Sequence, residues 1–181
     1  MMNKYIAILR GINVSGQKKI KMADLKSHLS ELNFKNIQTY IQSGNIIFEY
    51  ESDDIIFLED AIKSKINEKY GFEVPTIVIT QNEIEYVLAN NPFINEQGKD
   101  PERIYVTFLS DFPSITNIEK LENFNYSPEE YILDGKIIYF FSPHGYGKAK
   151  MNNNFFENKL KVEATTRNWK TVNKLFEMMN S

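Results

Sequence analysis

The 181-residue chain contains no cysteine, which excludes disulfide bonds, thiolate metal ligands and a cysteine nucleophile. Its only two histidines, His28 and His144, are far apart in the sequence, so no histidine-rich metal site is expected. Basic residues (21) do not outnumber acidic ones (24), which argues against a duplex-DNA binder, because a basic excess usually supplies most of that affinity. The apolar run near the start ends at Arg10, too early to span a membrane, and lacks a small-residue cleavage site. We therefore expect a soluble cytoplasmic protein with no membrane partner.

Hydrophobic residues make up 42% of the chain, enough for a folded core, and their spacing predicts alternating strands and helices. In the first half, the predicted strands are residues 4–9, 36–42, 45–50 and 74–80. Two amphipathic helices are predicted on the apolar stripes Met22, Leu25, Leu29, Leu32 and Leu58, Ala61, Ile62, Ile66. The second of these helices is predicted to begin near Ser52 and Asp53. A short connecting helix is predicted over residues 81–91.

The same order of elements recurs in the second half. Strands are predicted at 104–109, on both sides of a hairpin turn at Asp134-Gly135, and at 162–166. Helices are predicted on three apolar stripes: Ile115, Ile118, Leu121; Phe155, Phe156, Leu160; and Trp169, Val172, Leu175, Phe176, Met179. The fold class is thus α+β, with two ferredoxin-like units (split βαβ, order β-α-β-β-α-β) in tandem as an internal repeat, each followed by an extra helix. The predicted domains are 1–93 and 103–181, joined by a polar linker at 94–102.

This topology predicts where the unusual polar segments meet. Strands one and two of each unit run in one direction and strands three and four run back. In the first unit, RGIN (10–13) should therefore lie beside the hairpin QSGN (42–45). In the second unit, SPHGYGKAK (142–150) should lie beside TTRNW (165–169).

The polar residues of these four segments form the predicted ligand site. They are Arg10, Asn13, Gln42, Ser43, Asn45, His144, Lys148, Arg167 and Asn168. Structural roles compete at most of these positions. GYGK can cradle an anion with its backbone amides or be an ordinary glycine-rich turn. The asparagines suit turns and helix caps, and an arginine can bind a phosphate or form an internal salt bridge.

Two further features bear on the site. Lys18, Lys19 and Lys21 form a small basic cluster that can attract an acidic partner or simply face solvent. Trp169, the only tryptophan, lies on the apolar stripe of the last helix. We therefore expect it to anchor that helix in the core and to aim Arg167 and Asn168, in preference to stacking on a base.

Three segments resemble the bacterial domain-of-unknown-function family 1697, whose members carry YxAxLRGINVGG, TYIQSGNVxF and ATTRNWxTVxKL. Here they are YIAILRGINVSG (5–16), TYIQSGNIIF (39–48) and ATTRNWKTVNKL (164–175). The resemblance implies two ferredoxin-like units and no defined activity or cofactor. Two positions depart from the family pattern. Ala149 stands where relatives have a hydroxyl residue after the glycine turn, and Ser15 replaces a glycine.

The leading functional hypothesis is a binding module for an anionic ligand: a phosphate-containing small molecule, a nucleotide or single-stranded RNA. An enzyme of phosphoryl or acyl transfer is the second hypothesis, with Ser43 and His144 as nominal nucleophile and base. The third is an interaction or oligomerisation protein in which the motifs are structural. The sequence leaves the oligomeric state open.

Overall fold

The computed structural model describes residues 2–181 and contains eight strands and six α-helices in that range. The first part of the chain forms β1 (Asn3–Leu9), α1 (Met22–Ser30), β2 (Lys35–Tyr40), β3 (Asn45–Tyr50), α2 (Ile55–Tyr70), β4 (Thr76–Thr80) and α3 (Gln81–Asn90). The second part forms β5 (Ile104–Leu109), α4 (Ile115–Glu122), β6 (Glu130–Asp134), β7 (Ile137–Phe141), α5 (Asn153–Leu160), β8 (Ala164–Asn168) and α6 (Trp169–Met179). The predicted order of elements is confirmed.

The strands form two antiparallel four-stranded sheets, ordered β2-β3-β1-β4 and β6-β7-β5-β8. The architecture is therefore α+β. This strand order is compatible with the predicted ferredoxin-like arrangement, in which each central strand lies between two strands that run the opposite way.

Contacts divide the chain into two compact units. The first unit comprises the residues up to Glu85 together with Leu175–Ser181, and the second unit is Tyr86–Lys174. The predicted linker, 94–102, lies inside the second unit. The domain limits 1–93 and 103–181 stay a prediction.

In the first unit, α1 and α2 pack on one face of the sheet. Leu25 and Leu29 of α1, and Leu58, Ile62 and Ile66 of α2, are all fully buried against the sheet's apolar side chains. The helical spacing of these residues is the pattern that predicts both helices from the sequence. One apolar stripe along each helix is enough to pack that helix against the sheet. Lys4 of β1 also donates a hydrogen bond of 2.6 Å from Nζ to the carbonyl oxygen of Met179, at the end of α6.

In the second unit, α4 and α5 pack on one face of the sheet. Leu121 of α4 and Phe156 and Leu160 of α5 join Ile138 and Phe140 of β7 in a buried cluster. Aromatic edge-to-face contacts run through it, with Phe140 and Phe156 rings 6.1 Å apart. Phe140 and Phe156 thus pack with aliphatic side chains to form the core of this unit.

Several predicted boundaries are wrong in detail. Helix α2 starts at Ile55 because Asp54, not Ser52 or Asp53, caps it by accepting from the amide of Phe57. Helix α1 ends at Ser30, before Leu32. Residues 41 and 42, predicted to end β2, lie in the hairpin loop, since Tyr40 already pairs with Asn45. Strand β8 continues to Asn168, whereas the sequence predicts that it ends at residue 166.

The hairpin between β6 and β7 turns one residue later than predicted. Asp134 still pairs with Ile137, so the two loop residues are Gly135 and Lys136. Gly135 supplies the left-handed backbone, with φ of 60°, that such a tight turn needs.

Candidate functional site

The loop after β1 is held in shape by the side chain of Asn13. Its Oδ1 accepts from the amide of Ile20 at 2.8 Å, and its Nδ2 donates to the Ile20 carbonyl at 2.9 Å. Nδ2 also donates to the carbonyl oxygen of Gln42 at 2.8 Å. The predicted meeting of 10–13 with 42–45 is therefore confirmed. Asn13 has φ of 55°, a left-handed conformation that asparagine tolerates better than most residues.

The hairpin between β2 and β3 uses Asn45 internally. This side chain is fully buried and its Nδ2 donates to the Tyr40 carbonyl at 3.0 Å and to Ser43 Oγ at 3.1 Å. The amide of Leu9, at the end of β1, donates to the Gly44 carbonyl at 2.8 Å. Asn45 is thus a structural residue of the turn, while the side chain of Gln42 is exposed.

An open cleft of about 640 Å³ lies beside this loop in the first unit. Two predicted site residues, Asn13 and Gln42, line it, and so do Lys19 and Lys21 of the basic cluster. Lys18, the third member, instead donates from Nζ to the Glu73 carbonyl at 2.6 Å. The structure thus brings part of the predicted site together with two exposed ammonium groups.

The start of α1 forms part of the same cleft. Met22, Ala23 and Asp24 line it, and no side-chain cap satisfies the first turn, because Lys21 occupies the N-cap position. Amide hydrogens of a first helical turn have no partner within the helix and favour negative charge nearby. Asp24 places one carboxylate of the protein's own in this region.

Tyr70, at the end of α2, completes the cleft wall. Its hydroxyl is buried and has no hydrogen-bond partner among the described residues. Burial, with a smaller effect from the Asp24 carboxylate, raises the pKa of this hydroxyl. Its ring is packed against others, stacked on Phe72 at 6.0 Å and edge-to-face with His28 at 5.8 Å.

In the second unit, a hydrogen-bonded network joins the glycine-rich loop to β8. Thr166 Oγ1 donates to Asn153 Oδ1 at 2.6 Å, so Thr107 Oγ1, 2.6 Å away, must donate to Thr166. The Tyr146 hydroxyl donates to Thr166 Oγ1 at 3.2 Å and accepts from the Asn153 amide at 2.9 Å. The predicted meeting of 142–150 with 165–169 is therefore confirmed.

Most backbone amides of the glycine-rich segment already donate hydrogen bonds to acceptors within the second unit. The amides of Lys150 and Met151 donate to the two carboxylate oxygens of Glu129, at 2.8 and 2.9 Å. The amide of Tyr146 donates to the Tyr105 hydroxyl. The two amides that follow the GYGK segment, those of Lys150 and Met151, therefore already bind an anion of the protein itself, the Glu129 carboxylate. The side chains of His144 and Lys148 are exposed.

Arg167 is buried, exposing 9% of its surface. Its Nη1 donates to Thr165 Oγ1 at 3.2 Å and to the Thr166 carbonyl at 2.9 Å. Burial lowers the pKa of this guanidinium to about 10, against a smaller opposing effect of Tyr146. These contacts tie the arginine to its own strand.

Asn168 and Trp169 mark the junction of β8 and α6. Asn168 Oδ1 accepts from the amide of Thr171 at 2.8 Å, as an N-cap does, so the capping alternative is confirmed. Trp169 is partly buried, while Val172 and Leu175 on the same stripe are buried.

Several residues of these sites were missed by sequence reasoning. They are Glu129, Tyr146, Asn153 and Thr166 in the second unit, and Asp24 and Tyr70 in the first. No motif or spacing in the sequence points to them, because their roles depend on contacts between different elements of the fold. Ser43 and His144, the nominal catalytic pair, lie in different units.

Residues 2–181 hold no group of three or more histidine, aspartate or glutamate side chains arranged for a metal ion. No helix in that range is long and apolar enough to cross a membrane.

Comparison with known proteins places the chain in a family. The model of a family described as "Protein of unknown function (DUF1697)" matches residues 2–139. A solved structure, the conserved bacterial protein SP0830 from Streptococcus pneumoniae, is similar over 99% of both chains, with 24% identity and a TM-score of 0.73. At that identity the likeness shows the fold alone. No curated protein matches the chain. The chain therefore belongs to the DUF1697 family of proteins of unknown function.

Proposed function

We propose that the protein is a binding module for an anionic, phosphate-containing ligand, held in the cleft of the first unit. One observation carries the proposal: Lys19 and Lys21 line the same cleft as the loop and hairpin residues Asn13 and Gln42. The volume, about 640 Å³, is within the roughly 300–1,000 Å³ typical of small-molecule sites.

The charges in this cleft suit a phosphate group. Two ammonium groups attract it by Coulomb forces, and the uncapped start of α1 adds amide donors. The exposed amide of Gln42 supplies a neutral donor and acceptor for orientation. Asn13 contributes indirectly, since its own amide is committed to holding the loop that carries the cleft wall.

The second unit supports a different role for TTRNW. Arg167 is buried and donates hydrogen bonds to Thr165 and Thr166 of its own strand, and Asn168 caps α6, so these motif residues stabilise the fold. This agrees with the hypothesis that the second-unit motif is structural. The enzyme hypothesis stays a prediction.

We also infer that both units are ferredoxin-like. The orders β2-β3-β1-β4 and β6-β7-β5-β8, with antiparallel pairing throughout and two helices on one face of each sheet, support this assignment.

A thermal-shift experiment tests the binding proposal. The variants are the double substitution Lys19→Ala with Lys21→Ala, a charge-matched control of Lys26→Ala with Lys35→Ala outside the cleft, and Arg167→Ala. The probes are inorganic phosphate, adenosine monophosphate, ribose 5-phosphate and a short single-stranded RNA. Binding to the folded state raises the melting temperature.

We expect at least one probe to stabilise wild type and the control pair but not the cleft variant. Arg167→Ala should melt lower than wild type without ligand, yet keep the ligand-induced shift. Equal shifts in the cleft variant and wild type, or no shift with any probe, would rule out the proposed site.

A further inference from the structure

We propose that the ligand of this cleft is a small phosphorylated polyol, of the sugar-phosphate class, and not a nucleic acid. The inference rests on the proposed anion-binding function and narrows its ligand. It follows from which chemical groups face the cleft and which are missing from its walls.

The cleft carries charges of both signs. Lys19 and Lys21 favour a phosphate, but Asp24 repels one and instead accepts hydrogen bonds from hydroxyl groups. A polyphosphate backbone passing through would place several negative charges near this carboxylate. A ligand with one phosphate and several hydroxyls can use the lysines for its phosphate and Asp24 for its hydroxyls.

Tyr70 shapes the cleft but offers its interior no polar group. The residue lines the wall, while its hydroxyl is buried and has no hydrogen-bond partner among residues 2–181. The neutral or acidic groups that can bind ligand hydroxyls are therefore the carboxylate of Asp24 and the exposed amide of Gln42.

The walls offer little for base stacking. Tyr70 is the one aromatic side chain among the described residues that line the cleft, and its ring already packs against Phe72 and His28. Base stacking on aromatic rings supplies roughly 1–3 kcal/mol per base in single-strand binding. On β7, the aromatic residues Tyr139, Phe140 and Phe141 are also buried, so this strand presents no exposed ring.

Isothermal titration of the full chain tests the inference. The probes are ribose 5-phosphate, ribose, inorganic phosphate, adenosine monophosphate and a single-stranded uridine oligonucleotide. We expect ribose 5-phosphate to bind at least about tenfold more tightly than ribose or phosphate alone, because it engages both the lysines and Asp24. Adenosine monophosphate should bind no more tightly than ribose 5-phosphate, since no ring face is free for the base.

Two variants test the role of Asp24 in binding hydroxyl groups. Asp24→Asn should leave inorganic phosphate binding unchanged or tighter while removing most of the advantage of ribose 5-phosphate. Tyr70→Phe removes a buried hydroxyl that the cleft does not reach, so it should change neither affinity. The matched control is Asp60→Asn, an exposed carboxylate on α2 outside the cleft, which should change neither.

The outcomes separate the two proposals. If phosphate, nucleotide or RNA binds in a manner that depends on Lys19 and Lys21, but ribose 5-phosphate has no advantage, the sugar-phosphate inference is wrong and the anion site stands. An affinity for adenosine monophosphate or RNA about tenfold above that for ribose 5-phosphate also overturns it. Failure of every probe overturns both.

Discussion

The Nδ2 atom of Asn13 donates to the carbonyl oxygen of Gln42 over 2.8 Å, joining residues 29 positions apart in the sequence. The bond ties the loop after β1 to the hairpin between β2 and β3. Both residues line the cleft, so this contact fixes two parts of its wall relative to each other.

Asn13→Ala should lower the free energy of unfolding by roughly 2–4 kcal/mol. The change removes three hydrogen bonds of about 1 kcal/mol each. Alanine also tolerates the left-handed backbone at this position, with φ of 55°, less well than asparagine does. Urea unfolding followed by circular dichroism measures the change. Asn158→Ala, on the exposed face of α5, is the control and should stay within about 0.5 kcal/mol of wild type.

Gly44→Ala should destabilise the protein by roughly 2–4 kcal/mol. A Cβ at Gly44 would lie 2.7 Å from the Cβ of Leu9 and 2.8 Å from Cδ1 of Ile12, in a backbone with φ of 85°. Gly147→Ala is the matched control, because a Cβ there meets no atom within 4 Å. Comparable urea midpoints for the two alanine variants would contradict the close approach of the hairpin to β1.

Tyr146→Phe should cost roughly 1–2 kcal/mol. It removes the donor to Thr166 Oγ1 and leaves the Asn153 amide without its acceptor. Tyr40→Phe, a partly exposed tyrosine of β2, provides the comparison and should be nearly neutral. An unchanged melting curve for Tyr146→Phe would show that the network contributes nothing to stability.

The ion pairs around Glu31 predict a pH dependence. Hydrogen bonds from Lys65 and Lys69 lower the pKa of the Glu31 carboxyl from 4.5 to about 2. Because the folded pKa is depressed, the stabilisation is present above about pH 4.5 and is lost as the pH falls towards 2. The difference in stability between wild type and Glu31→Gln should therefore be largest near neutral pH, small because the pair is exposed, and gone near pH 2. High salt should also reduce it.

Much of the fold could be predicted because its determinants are local. Leu25 and Leu29, or Leu58 and Ile62, have the helical spacing that buries one face, and Gly71 ends α2 in the left-handed conformation that a C-terminal glycine permits. The two loop pairings followed from strand directions alone. The predicted boundaries were wrong where one element follows another without a loop, as where β8 ends at Asn168 and α6 begins at Trp169.

The site was less predictable because it depends on contacts between distant segments. The Glu129 carboxylate, for example, accepts from the amides of Lys150 and Met151, which lie 21 and 22 residues further along the chain. Asp24 and Tyr70 are unremarkable helix residues in the sequence, and only packing of α2 against α1 brings both to the cleft. A sequence pattern shows how residues are spaced along one helix or strand. It does not show which residue of another element a side chain will contact.

The hydrogen bond from Lys4 to Met179 spans 175 residues of sequence and lies within the first unit. During synthesis on the ribosome, Leu175–Ser181 emerges after every residue of Tyr86–Lys174. The unit that is translated first is therefore the one whose contacts are completed last. Until Leu175–Ser181 has been translated, the nascent chain carries a first unit without its last segment and a second unit that already has all of its residues.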